Sequence, residues 1–519
     1  MFVSASSRRA LLLSAAALMT LSTAPALAEN AATPAATAQE PVQTVRVWGT
    51  KVSSSSLHVN EDDIAIRQAD HLSDLLRTVP GVDIGGTHST NTRINFRGLD
   101  DRDLNVFIDG ALQTNYLFHH MGNLLINADI LKSADIQLGT NSVTHGGLGG
   151  AVRFETKDAR ELLKPGQTFG GRVMGGYNTN AQISGSLTAY GQITPQLDVL
   201  AYVHHVSRGN FKDGDGLKTV GSNGKTNNGL IKVGYDLDAQ QRLELSYEAI
   251  KDAGDYSQRP DMGLRTQLAI KAGDLTLPTK YDRKSLNLSY ALDKGPALRL
   301  NATYYTNDLT LWRDERGVRI GAYVGTIHDA ASDNQGLNVL ARSVIETGAI
   351  THTLKYGVEI FDQKLTDRPD LIKGAKPVVE KATQSAVFLE DTIRFDNGFV
   401  LRPEIRQNHY KKVQADGKRD SWSKTRFGLA AELPIEENFR LLASYTELFK
   451  GPELEEPFVG RASGIRLNPN LKPETGQNTE FGFRYTVPLA AGQVRLGANL
   501  FRTTIKDYIA LVPFPGTTT

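Results

Sequence analysis

From about residue 168 to the C-terminus, apolar and polar residues alternate in segment after segment, with turn residues between them. "QRLELSYE" sets Leu243, Leu245 and Tyr247 against Arg242, Glu244 and Ser246, and "SLNLSY" continues with Leu286, Leu288 and Tyr290. "HTLKYGVEI" sets Leu354, Tyr356, Val358 and Ile360 against Thr353, Lys355 and Glu359. "EFGFRYTV" sets Phe481, Phe483 and Tyr485 against Glu480, Gly482 and Arg484. A period of two is the mark of a strand with two unlike faces. One such segment is common; roughly sixteen in succession, without helical periodicity, leave a soluble sandwich or propeller, or a transmembrane barrel. A barrel accounts for more. It calls for segments of about ten residues, aromatic residues near strand ends, and short turns alternating with long polar connections. "DLDAQQR" and "LDKGPA" are tight, while 207–227 and 251–283 read as long polar loops. The fold expected is an all-β transmembrane antiparallel barrel over 168–519.

The N-terminus supplies an export signal over 1–28. Arg8 and Arg9 precede the short apolar core Ala10 to Leu21, and Ala26-Leu27-Ala28 offers a processing site. Nothing later offers the about 20 continuous apolar residues that a spanning helix needs. Strands are then the means of crossing a membrane. The absence of cysteine excludes disulfides, thiol nucleophiles and cysteine-held metals. Lys+Arg at 58 and Asp+Glu at 57 nearly cancel, which gives nucleic acid no reason to bind.

Residues 29–59 form a low-complexity lead with one strand-like island, "PVQTVRVWGTKV", between an Ala/Thr/Pro tract and four serines. Residues 60–160 mix helix and strand as a small α+β domain. Leu72, Leu75, Leu76 and Val79 make a helical stripe that Pro80-Gly81 ends. "RINFRG" and "LNVFIDG" read as strands, "NADILKSADIQLG" as a short helix then a strand, and "VTHGGLGGAVRFETK" as a glycine turn entering a strand. Gly81, Gly98, Gly110, Gly139 and Gly150 are expected at turns that need positive φ or close packing. Arg97 is expected to make buried polar contacts between domain and wall, because a lone buried charge is costly.

Several motifs together resemble the TonB-dependent outer-membrane receptors. They are "LSDLLRTVPGV" (72–82), "INFRGL" (94–99), "VFIDG" (106–110), "IQLGTNSVTHGGLGGAV" (136–152), "YTELFKGPELEE" (445–456) and "NPNLKPETGQNTEFGFR" (468–484). The resemblance implies a barrel of about 22 strands with an N-terminal plug in its lumen. It also implies that the island at about 41–49 is a TonB box, carried by Val42, Thr44, Val45, Arg46 and Val47. An isolated strand makes sense when its partner is another protein's sheet edge. The other reading is that Thr44 to Val47 is the first plug strand. The partners implied are TonB of the inner-membrane energising complex, an iron–siderophore or haem ligand, and outer-membrane lipid. The location implied is the cell outer membrane, with no resident cofactor and no enzymatic activity.

The plug loops 85–93 and 110–123 fall where such a fold presents apices to cargo. His88, Asn91, Asn115, Tyr116, His119 and His120 are the ligand candidates. His119 and His120 are also metal candidates, since imidazole ligates iron and haem. Packing against the lumen wall is the alternative for all of them. Ferric siderophore uptake is placed slightly ahead of haem uptake. The segment 152–173 resembles the plug-to-barrel junction of haem receptors, but "PFVGRASGIRL" (457–467) lacks the histidine those receptors place there. An adhesion barrel, a porin or a non-functional fragment are readings of other classes, and a porin needs neither box nor plug. His204-His205 lies in an alternating strand, so its rings face opposite sides. Fewer strands follow "NPNLKPET" than the resemblance calls for. C-terminal strands are therefore expected to be missing, with a gap between strands near Arg172 and Phe501.

Overall fold

A computed structural model of the chain describes residues 56–59, 64, 72–76, 79–85, 92–114, 125–139, 142–179, 181–212, 214–257, 276–317, 319–320, 323–324, 327–368, 377–454, 471–489 and 492–509. The plug comes first in the chain. Its elements are β1 (Ser56–Val59), α1 (Leu72–Leu76), β2 (Val82–Gly85), β3 (Arg93–Phe96), β4 (Leu104–Ile108), β5 (Ala111–Leu112), β6 (Leu131–Leu138), β7 (Gly150–Thr156) and α2 (Ala159–Leu162). Five strands form a mixed sheet in the order β1-β6-β7-β4-β5, and β2 and β3 form a separate hairpin. Only β4 and β7 run parallel among the described plug pairs. The stripe Leu72, Leu75, Leu76 and Val79 is buried against Ile94, Phe96, Val106, Ile136 and Phe154. Each such side chain contributes roughly 1.5–3 kcal/mol of burial. The five plug glycines named above all take φ between +78° and +117°. At Gly110 a Cβ would also meet the Thr303 hydroxyl at 3.1 Å. The strand β1 belongs to the plug sheet, although its residues fall within the expected lead.

The wall is one 15-stranded antiparallel sheet. Its strands are β8 (Phe169–Asn178), β9 (Gln182–Gln192), β10 (Leu197–Arg208), β11 (Gly224–Asp236), β12 (Gln241–Ser257), β13 (Thr276–Asp293), β14 (Arg299–Asp314), then β17 (Ile327–Thr347), β18 (Ile350–Asp367), β19 (Val378–Phe395), β20 (Val400–Val413), β21 (Arg419–Glu436), β22 (Phe439–Lys450), β23 (Glu474–Leu489) and β24 (Gly492–Lys506). A separate small hairpin, β15 (Arg319–Ile320) with β16 (Tyr323–Val324), lies in the connection after β14. Each wall strand pairs with its neighbours along the chain. Short turns gather at one rim and the longer connections, such as 209–223 and 451–473, at the other.

Burial runs opposite to that of a soluble protein. Leu245, Val387, Phe427 and Phe481 point outward and are 46%, 53%, 53% and 54% exposed. Glu390, Arg406 and Arg426 point inward and are 0% exposed. Charged residues are almost never buried unless paired, and an apolar exposed belt of this extent marks a lipid-facing surface. The sandwich and propeller readings are excluded by this arrangement. The outward apolar set of each alternating strand faces lipid, and the inward polar set faces the plug. His204 is buried and His205 exposed, on opposite faces as expected.

Two features differ from the sequence reading. The strands run from 10 to 21 residues rather than about ten. Much of the expected loop 251–283 is ladder, since β12 continues to Ser257 and β13 begins at Thr276. Lys251, Asp255, Lys280 and Lys284 face outward there and are exposed. The inward residues Asp252, Tyr256, Thr279 and Tyr281 stay buried, so once the outward face is charged and meets water the lipid-facing apolar alternation disappears while the backbone pairing continues. The sheet is also open: β8 and β24 are its two ends and do not pair with each other among the described residues. The gap expected between the strands of Arg172 and Phe501 is present.

Candidate functional site

Val42, Thr44, Val45, Arg46, Val47, His88, Asn91, Asn115, Tyr116, His119 and His120 all lie outside the described residues, as does 457–467. The structure gives the frame that holds two of these segments. The segment 86–91 connects β2 to β3, the plug hairpin. The segment 115–124 runs from Thr114 to Leu125. Gln363 donates to the Thr114 carbonyl at 3.2 Å, and Leu125 packs against the cluster of Tyr281, Leu309, Leu311 and Leu365. These wall residues lie toward the rim of long connections. Both ends of the segment carrying His119 and His120 are therefore seated near that rim.

Below it, the plug is tied to the wall by charge. Arg97 donates from Nη1 to Glu480 at 2.8 Å, and its guanidinium lies 4.1 Å from the Phe501 ring centre. Asn478 and Asn499 donate to the same carboxylate at 2.8 and 2.7 Å. The buried contact expected of Arg97 is there, reaching the wall at β23.

A second group grips the plug turn before β7. Ser142 donates to Glu390 at 3.2 Å and the Val143 amide to Glu404 at 2.6 Å. Arg406 donates to the Thr144 carbonyl at 3.2 Å, and Arg426 to the carbonyls of Val143 and His145 at 3.2 and 2.8 Å. The wall charges balance one another, with Arg402 2.7 Å from Glu404 and Arg406 against Glu359. Arg153 donates to His145 Nδ1 at 2.6 Å, so that ring nitrogen accepts. Burial first, then the positive charges of Arg153, Lys355, Arg406 and Arg426, hold the His145 pKa well below its usual value. His145 is a neutral structural residue.

A third group lies on the opposite side. Asp129 accepts from Ser186 at 2.7 Å, from Arg172 at 3.0 Å and from Tyr202. Lys232 lies 2.6 Å from Asp158 and 3.4 Å from Glu244, and donates to the Thr156 carbonyl at 3.3 Å. Arg160 pairs with Asp198 at 2.7 Å and with Asp236. These groups bind plug to wall rather than cargo to receptor. Sequence reasoning found Arg97 and missed the others. Their one local signal is charge at every second position, as in Arg402, Glu404 and Arg406, on the face away from lipid.

Near the rim of long connections, Asp101 is buried beside Asp100 and 3.5 Å from Arg93. Burial pushes its pKa up from 3.8 to about 7, with Arg93 opposing and Asp100 adding. The folded state thus holds this proton more tightly than the unfolded chain does. The stability that follows is fully present below about pH 3.8 and is lost as pH rises through about 7. Asp101→Asn is expected to flatten the decline between those values, read as urea midpoints of plug unfolding across that range. An unchanged pH profile would show that Asp101 ionises as it does in the unfolded chain. Among the described residues no three His, Asp or Glu side chains form a group able to hold a metal ion.

Comparison with known proteins bears on the whole architecture. The family model described as "TonB dependent receptor-like, beta-barrel" matches residues 177–519, and "TonB-dependent Receptor Plug Domain" matches 49–151. The chain is 26% identical over 449 residues to the "Heme transporter BhuA" of Brucella suis, covering 85% of this chain and 65% of that protein. It is 25% identical over 516 residues to the "Heme/hemopexin utilization protein C" of Haemophilus influenzae, covering 87% of this chain and 70% of that one. The FrpB iron transporter of Neisseria meningitidis (F3-3 variant) superposes with a TM-score of 0.77 at 21% identity, covering 88% of this chain and 74% of that one. The likeness to FrpB is one of fold. The chain spans about two thirds of the length of these proteins, and 65% in the case of BhuA.

Proposed function

The chain belongs to the TonB-dependent receptor family, outer-membrane β-barrel proteins that are not enzymes, and from that premise we propose that it serves energised uptake of an iron chelate, with haem as the cargo. The observation that carries the reading is a folded domain tied by buried charge to the inner face of a lipid-facing wall. A wide barrel needs such a plug to stay sealed and needs it displaced to pass cargo. Haem is placed ahead of siderophore because relatives aligned over 85–87% of this chain bear haem names. Imidazole and phenolate side chains in 115–124 supply chemistry that suits it.

TonB binding to 41–49 supplies the displacement. The next described strand along the chain is β1, which among the described residues is an edge strand of the plug sheet paired with β6. Traction on the lead reaches that pair first. Peeling an edge strand breaks its hydrogen bonds one after another, whereas the buried ionic contacts must break in groups.

The test is titration of the purified protein with haem and with a panel of ferric siderophores, beside uptake in cells with and without TonB. Haem binding with TonB-dependent uptake is the expected result; binding of a siderophore alone would replace haem as cargo. The His119→Ala, His120→Ala double variant should bind haem at least about tenfold more weakly, roughly 1.4 kcal/mol. Unchanged affinity for haem and for every siderophore would return both histidines to wall packing.

A further inference from the structure

The charged contacts that hold the plug are confined to two sides. On β8–β12 the wall offers Arg172, Asp198, Lys232 and Asp236; on β19–β23 it offers Glu390, Glu404, Arg406, Arg426 and Glu480. Between them, β5 and its flanks meet the wall through neutral groups. Asn338 donates to the Gly110 carbonyl at 2.7 Å, and Asn307 to the Gln113 side chain at 2.7 Å. Gln363 donates to the Thr114 carbonyl at 3.2 Å. Ala111 and Leu112 pack on Tyr305 and Phe361. Among the described residues no ion pair joins 110–114 to the wall. Beside these contacts the wall carries hydroxyls and amides, with Ser289 bonded to Thr303 at 3.0 Å and Ser332 to Asn334 at 3.2 Å, and its charges, Arg313 beside Glu315 and Glu359 beside Arg406, are paired among themselves rather than with 110–114. The plug's own hold on β5 is short: it pairs with β4 at Phe107–Leu112 and Ile108–Ala111, and the Gln113 amide donates to the Val106 carbonyl at 2.8 Å.

Neutral hydrogen bonds exchange for water at small net cost, because water offers equivalent partners. Separating buried ion pairs strands charge in a poor dielectric and costs far more. Under load, the plug therefore yields on its neutral side first. We propose that the plug parts from the wall along this seam, between 110–114 and strands β14, β17 and β18, and that cargo descends over the hydroxyl- and amide-lined strip while the two charged sides keep the remainder in place. The inference rests on the uptake reading. The described residues on either side of 115–124, Thr114 and Leu125, both meet this wall.

The chain has no cysteine, so introduced thiols report alone. Single variants Gln113→Cys and Ser142→Cys are labelled with a small maleimide in cells that carry TonB, with cargo, with and without a protonophore. Energisation is expected to raise labelling of the Gln113→Cys variant at least about tenfold, equal to 1.4 kcal/mol in the opening equilibrium, and to leave Ser142→Cys within about twofold. A tether by a short bis-thiol reagent between Gln113→Cys and Asn307→Cys is expected to stop uptake, while cargo binding persists. A tether between Ser142→Cys and Glu390→Cys is expected to permit it. Labelling that rises at position 142 and not at 113, or uptake through the 113–307 tether, overturns the seam while leaving TonB-driven uptake standing. If no position responds and the unmodified chain takes up no cargo, the uptake reading fails and the seam falls with it.

Discussion

Replacing Val45 with proline is expected to bring energised uptake down to background and to leave cargo affinity unchanged. Strand addition to a partner's sheet edge depends on backbone donors and acceptors at alternate positions. Proline removes one donor and fixes φ, which bars it from a paired central strand. Cargo is expected to meet the plug loops 85–93 and 110–123 rather than 41–49, so binding has no reason to change. Val45→Thr keeps the donor and the β-branched side chain and should retain uptake. Uptake at the wild-type rate in the proline variant would remove 41–49 from the energy path and favour the reading of Thr44 to Val47 as plug structure.

Arg97→Ala is expected to loosen the plug by about 3–5 kcal/mol, the usual cost of leaving one member of a buried ion pair behind. The arginine and Glu480 side chains are only 11% and 5% exposed. Without the arginine, Glu480 loses a cationic partner at 2.8 Å that neutral donors such as Asn478 and Asn499 do not replace. Removing both charges with Arg97→Met and Glu480→Leu should recover much of the loss, because no isolated charge then remains. Urea-dependent proteolysis of the plug measures both effects, and the double variant closes a mutant cycle. Single variants that each lose less than about 1 kcal/mol would make the pair no more than a surface contact.

The wall was legible in the sequence because lipid on one face and polar plug on the other impose the alternation directly. Leu243, Leu245 and Tyr247 against Glu244 and Ser246 needed no tertiary information to assign. Where the outward face meets water instead of lipid, as at Lys251–Ser257, that contrast is gone, and ladder was read as loop. The plug was legible through punctuation: Pro80-Gly81 ending a helix, and glycines where φ had to be positive. Its attachment was not. Val143 and Glu404 stand 261 residues apart, and nothing in either local pattern names the other. Arg97 was assigned by a cost argument, that a buried charge must have a partner, without the partner's identity. For His88 to His120 the sequence offers residue type and position between strands, and side-chain chemistry alone does not select among iron chelates.

The spread of plug contacts along the chain carries a consequence for assembly. Each wall strand pairs with its immediate successor, so the wall grows by short-range hairpins whose closure is fast. The plug precedes the wall in the chain, and its contacts to the wall span widening separations. Asp129 finds Arg172, Ser186 and Tyr202 at separations of 43, 57 and 73 residues. The grip on the turn before β7 waits for Glu390 and Glu404, at separations of 248 and 261. Arg97 waits for Glu480, at 383. Closing the loop to β8–β12 costs less chain entropy than closing it to β19–β23, though the difference grows only slowly with separation. The β8–β12 contacts are thus the less costly to close, and the Arg97–Glu480 pair the most costly of those named.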